Sequence, residues 1–214
     1  MLTLLDAADL CNSSLLMRHG PRLIIEDATK AETVMLTPEG EQAARQMGAE
    51  LFAKHPPAHL YHSTIARCGQ TAHCLLQGMG PVAGQVVNHG PHPMLAACYL
   101  PDSRYTYQYC QNQGMDTLQF IQQWFAGSLL AELAMPALQA ARNQLEFMQE
   151  QHQQLGGFQL HVSHDWNMML FIVFYLGLTP SWAAWPGFLE GVLLTWESPG
   201  VRLQFRHHTA RLAL

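Results

Sequence analysis

The sequence predicts an α/β protein: a three-layer α/β/α sandwich with a mostly parallel central sheet and an antiparallel hairpin at its edge. Three observations point there. Short apolar runs alternate along the chain with segments of helical period, the pattern of an α/β sandwich. Two late apolar runs straddle Ser198-Pro199-Gly200, a hairpin signal. Polar clusters follow directly on three of the apolar runs, where open α/β sheets place their ligands.

Residues 15–17 form the first apolar run, consistent with a buried strand, and the polar stretch to Thr33 reads as a loop. Thr37-Pro38-Glu39-Gly40 then opens a helix. Thr37 suits the N-cap, Pro38 the first helical position, and Glu39 and Glu41 the positive end of the helix dipole. That helix runs to about Lys54, ahead of Pro56-Pro57. A second strand is predicted over residues 58–62 and a second helix over 66–77, stopped by Gly78. Between Gly80 and Gly114 the pattern lapses, and the prolines, glycines and tyrosines 99, 105, 107 and 109 read as an irregular insertion.

Helices return over residues 117–124 and from about 135 to 155. In the second of these, Leu138, Ala141, Leu145 and Met148 share one face and the glutamines take the water side. Gly156-Gly157 closes it. Residues 158–162 read as a strand, 166–176 as a buried helix ending at Gly177, and 192–196 with 201–205 as the hairpin. The 214 residues are expected to make one domain, with residues 80–130 as a cap insertion.

Composition narrows the function classes. Hydrophobic residues are 49% and charged residues only 13% of the chain, against a usual charged share of about 25%, so a compact globular protein is expected. The formal charge is −5 and the 11 Lys and Arg are scattered, which argues against nucleic acid as a partner. Five cysteines without CxxC spacing argue against a disulfide framework or a zinc ribbon and for a reduced, cytoplasmic protein. The opening residues carry two aspartates and no basic stretch, unlike a secretory signal. The longest apolar run, 168–176, is short of the roughly 20 residues a membrane span needs, so no membrane association is expected.

The three polar clusters are Arg18-His19-Gly20-Pro21-Arg22, residues 63–67 and Ser163-His164-Asp165. If their strands are neighbours, three arginines, two histidines and one aspartate converge on one pocket. Arginine offers planar, bidentate donors to phosphate oxygens, and glycine lets the backbone approach a ligand closely. A histidine among such cations is pushed toward its neutral form, and a neutral imidazole is a nucleophile. The other histidines show no HExxH-like spacing, so they read as structural or surface residues and no metal is expected. His161, alternating with His164 at a strand end, is a candidate for the pocket wall. The tyrosine cluster reads as cap packing and Cys68 as a buried helix cysteine.

"LLMRHGPR", "LTPEGEQAARQMGAEL", "STIARCGQTA" and "SHDWN" occur in that order, and with them the chain resembles the histidine phosphatase superfamily over about half its length. The resemblance implies a phosphoglycerate mutase-like fold and a metal-independent phosphatase without a cofactor, acting on a small phosphorylated substrate. It implies His19 as the nucleophile and Arg18, Arg67 and His164 as ligands of the phosphoryl oxygens. Arg22 matches the extra arginine of the acid phosphatase and phytase branch, and Asp165 matches that branch's proton donor. The chain carries Ile24 where that branch usually has proline. The mutase-like branch uses a glutamate from the segment after the third arginine. No glutamate occurs between Glu50 and Glu132, and Asp102 is the fallback acid. A phosphomutase, a protein phosphohistidine phosphatase, and a biosynthetic or regulatory member of the same fold are the alternatives.

Overall fold

The computed structural model describes residues 10–214. Among them, seven strands build one sheet: β1 (Ser13–Arg18), β2 (His59–Ser63), β3 (Val87–His92), β4 (Gln159–Ser163), β5 (Gly191–Glu197), β6 (Gly200–Phe205) and β7 (His208–Leu212). Their order is β3-β2-β4-β1-β5-β6-β7. β3, β2, β4 and β1 run parallel, whereas β5 lies antiparallel to β1 and continues into β6 and β7. The predicted hairpin is β5–β6, and β7 extends it by a strand that the sequence reading left out.

Successive side chains of a strand point to opposite faces, and both faces here are covered. Leu15 and Met17 of β1 join Leu60, Leu160 and Val162 in a core beneath α1 (Pro38–Met47) and α2 (Ala66–Met79). Leu16 joins Val192 and Leu194 in a second core. That core lies against α4 (Thr117–Phe125), α5 (Ala137–Leu155) and α6 (Asp165–Phe174). A strand buried on both sides needs an unbroken apolar run, which explains why "LLM" carries no alternation.

α1 starts as predicted, with Thr37 accepting from the Gly40 N–H at 3.0 Å. It ends at Met47 and passes into a π-type turn, Gly48–Phe52. α2 does not stop at Gly78: it runs to Met79 and is ended by Gly80, whose φ is +60°. Gly78 serves packing, since a Cβ there would collide with the Arg45 carbonyl oxygen of α1, as one at Gly48 would with that of Leu75.

Residues 80–114, irregular by sequence, hold β3 and the helix α3 (Ser103–Asn112). β3 contains Gly90 and Pro91, which hide it from a propensity reading and which an edge strand tolerates. On α5, Leu138 is exposed while Gln144 is buried, and Gln144 accepts from Asn167 at 3.4 Å. The core face therefore lies at Ala137, Ala140, Ala141, Gln144, Leu145, Phe147 and Met148. Residues 28–33, part of the predicted loop, form a 3-10 turn capped by Asp27. Among the described residues no helix is long and apolar enough to cross a membrane.

Candidate active site

β1, β4 and β2 are adjacent and end level: Arg18 pairs with Ser163, and His62 with Val162. The three polar clusters therefore meet at the carboxyl end of the sheet. The backbone N–H of His19 donates to the Ser163 carbonyl at 3.0 Å, tying the loop after β1 to the end of β4. The Gly20 N–H donates to Thr71 Oγ1 at 3.0 Å, and that hydroxyl donates to the Arg67 carbonyl at 2.8 Å, tying the same loop to α2. A Cβ at Gly40 would strike the Pro21 carbonyl, so α1 closes on the loop only through a glycine.

His19 is 2% exposed. Its Nδ1 lies 2.7 Å from the Gly20 carbonyl, which can only accept, so Nδ1 carries the proton. Nε2 is then the lone-pair nitrogen, and it accepts from Arg67 Nε at 3.0 Å. Burial, followed by the positive charge of Arg67, holds the imidazole well below its ordinary value. His19 is thus a neutral imidazole with a fixed tautomer.

Arg67 also donates to the Ala31 carbonyl at 2.6 Å and approaches His164 Nδ1 at 3.4 Å. With Nδ1 accepting, His164 carries its proton on Nε2 and donates to Ser63 Oγ at 2.9 Å. Burial, then His19 and Arg67, hold His164 well below its usual value. Arg18 pairs with Asp165 at 2.7 Å and donates to the Pro186 carbonyl at 2.7 Å, with its guanidinium carbon 4.1 Å from the Phe188 ring centre. Among the described residues its Nε is buried without a hydrogen-bond partner. Arg22 lines the same cleft at its edge, its head bound to the Leu23 carbonyl at 2.8 Å. Asp165 Oδ1 accepts from the Trp166 N–H, and Oδ2 accepts from Trp185 Nε1 at 3.1 Å.

These side chains line a cleft of about 1290 Å³. Arg18, His19, Arg22, Arg67, His164 and Asp165 all face it. The N-termini of α2 and α6 open beside it, and such termini favour anions. His161 is not part of the cleft: it is fully buried on a sheet face, stacked on Tyr61 at 5.2 Å and edge-on to Phe147. Asp102 lines the cleft, but its carboxylate caps α3 through the Tyr105 N–H. Burial pushes the Cys68 thiol up to about 12, so it is no nucleophile at neutral pH. Among the described residues no group of three His, Cys, Asp or Glu side chains is placed to hold a metal ion.

Sequence reasoning put Ser63 in a polar cluster without a role and missed Thr71, Trp185 and Phe188; Ser63 holds His164 and Thr71 holds the loop after β1. The last two lie in Trp182-Ala-Ala-Trp-Pro-Gly-Phe188, where aromatics gathered around proline and glycine were the available signal.

Residues 14–89 match the family model of the histidine phosphatase superfamily (branch 1). The fold agrees with that match. Mycobacterial glucosyl-3-phosphoglycerate phosphatase superimposes with a TM-score of 0.64 at 14% identity, covering 94% of this chain and 100% of that one. YhfR of Bacillus stearothermophilus gives 0.61 at 16% identity, over 91% and 96% of the two chains. Phosphoserine phosphatase of Entamoeba histolytica gives 0.60 at 14% identity, over 95% and 93%. No curated protein matches the sequence. The sequence match covers residues 14–89, and the solved structures extend the likeness in fold over most of the chain. The expected kinship with the acid phosphatase and phytase branch is not carried by these comparisons, because its motif, His164-Asp165, lies outside the matched residues.

Proposed function

We propose that the protein is a phosphatase that hydrolyses a phosphomonoester through a covalent phosphohistidine on His19. The observation that carries this is the fixed tautomer of His19, with Nδ1–H held by Gly20 and the Nε2 lone pair directed at Arg67. Nε2 attacks phosphorus, the bond from phosphorus to the leaving oxygen breaks, and Asp165, which takes a proton from solvent once Arg18 has left it for the phosphoryl group, gives that proton to the leaving oxygen. Water, deprotonated by Asp165, then cleaves the P–N bond and restores the imidazole. Arg18, Arg22, Arg67 and His164 stabilise the equatorial oxygens. Arg18 turns from Asp165 to the phosphoryl group in this scheme, freeing Oδ2.

Asp165 as the acid is what the acid phosphatase-like reading of His164-Asp165 supplies, and the segment 51–131 has no glutamate to take its place. A mutase must shield its phosphoenzyme from water, and the lack of that glutamate favours hydrolysis. Five free thiols suit a reducing compartment, which for this reading is the cytoplasm. The test is p-nitrophenyl phosphate turnover by the wild type and by His19→Ala, with acid-labile, base-stable phosphate trapped on the wild type alone. Equal trace activity in both proteins would sink the proposal.

A further inference from the structure

We propose that the cleft selects phosphomonoesters whose leaving group is an aromatic ring bearing no negative charge. This rests on the role given to Asp165 above, because the leaving oxygen must lie beside its proton donor. Trp166 follows Asp165 in the chain and donates its backbone N–H to Oδ1, and the Trp185 indole donates to Oδ2.

The rings extend outward from there. Trp166 stacks on Phe120 at 5.0 Å and meets Tyr107 edge-on, which holds one wall of the cleft rigid. On the other side Trp185 packs against Trp182 at 5.0 Å, and Phe188 lies 5.6 Å from the His19 ring. All six line the cleft, yet Trp182 is 60% exposed. An indole left open at the mouth of a site offers a ring face for stacking.

Charge sets the second half of the selection. Apart from Arg18, Arg22, Arg67 and Asp165, the charged residues of the cleft wall are Glu26, Glu32, Asp102, Asp116 and Arg104. Four carboxylates face one guanidinium, so a second anionic group on the substrate meets repulsion rather than a partner. A neutral or cationic ring avoids this, and a cation gains further from the indole faces.

Binding and turnover separate this inference from the one beneath it. Titration calorimetry of the wild type with ethylphosphonate, 2-phenylethylphosphonate and 2-(4-carboxyphenyl)ethylphosphonate reads the leaving-group site without chemistry. The phenyl compound should bind at least tenfold tighter than the ethyl compound, and the carboxylate should remove at least fivefold of that gain. Trp182→Ala, at an exposed position, should cut the gain from the ring at least threefold. Equal affinities for all three, tighter binding of the carboxylate, no binding of any, or an unchanged ring gain in Trp182→Ala would each overturn the inference. Turnover of the matching phosphates reports separately. The binding preference without turnover supports this selectivity and overturns the phosphatase reading, while equal kcat/KM for all three phosphates does the reverse.

Discussion

Acidification should unfold this protein at a pH where its carboxylates are still ionised, because His19, His164 and His161 are buried as neutral imidazoles. Burial is the largest cause at all three, and at His161 it pushes the ring down to about 3. Among the described residues neither ring nitrogen of His161 has a hydrogen-bond partner. In the unfolded chain each imidazole returns to about 6.5. Below that pH the unfolded state binds protons that the native state refuses, so the stabilisation is complete above about 6.5 and is lost as the pH falls. For His161 the loss continues to about 3. The limiting slope is about 1.4 kcal/mol per pH unit for each histidine, so a drop from pH 7.5 to 5.5 removes on the order of 1 kcal/mol through His161, and His19 and His164 add losses of the same sign, a few kcal/mol together. Against a typical total of roughly 5–15 kcal/mol, that is a large share. Urea unfolding at steps between these pH values measures it directly. His161→Phe keeps a ring in the Tyr61 and Phe147 stack while removing one titrating group, and should flatten the slope by about a third. A wild-type stability that varies by less than about 1 kcal/mol over this range, or a slope unchanged in His161→Phe, would refute the reasoning.

Asp165→Asn should lower kcat/KM, which reads the first displacement alone, by about 10²–10⁴ on alkyl phosphates, whose leaving oxygen needs a proton, and far less on p-nitrophenyl phosphate, whose leaving group does not. Similar losses on both substrates would remove Asp165 from the role of acid. Thr71→Val strands the buried Gly20 N–H and should cost about 1–3 kcal/mol in urea unfolding. Thr71→Ser should recover most of that loss, and a neutral Thr71→Val would show that the hydroxyl does not hold the loop after β1. Gly78→Ala forces a methyl against the Arg45 carbonyl and should destabilise by about 1–3 kcal/mol, readable as a fall in Tm.

The catalytic candidates were legible because each follows a strand, and strand ends in a parallel sheet converge whatever the intervening loops do. Thr37-Pro38 gave the start of α1 for a local reason, a cap whose chemistry is contained in four residues. What stayed hidden depends on contacts between distant segments. Gly78 looks like a stop signal, and only the approach of Arg45 shows it to be a packing glycine. Gln144 looks like a solvent residue until Asn167 of α6 pairs with it. β3 carries glycine and proline and is recognisable as a strand only through β2. Asp165 was legible as the candidate acid, whereas its surroundings were not, because Trp185 lies 20 positions away in a segment without regular structure.

The bond from Arg67 Nε to His19 Nε2 means that one guanidinium serves two clients. While it caps the lone pair, His19 is poorly exposed to alkylating and acylating reagents. In the proposed reaction a phosphoryl group that draws Arg67 onto its own oxygens would uncover His19 Nε2. On the proposed mechanism His19 is thereby released by the anion it would meet, and a neutral electrophile of the same size, lacking the charge to compete for Arg67, would find it still covered.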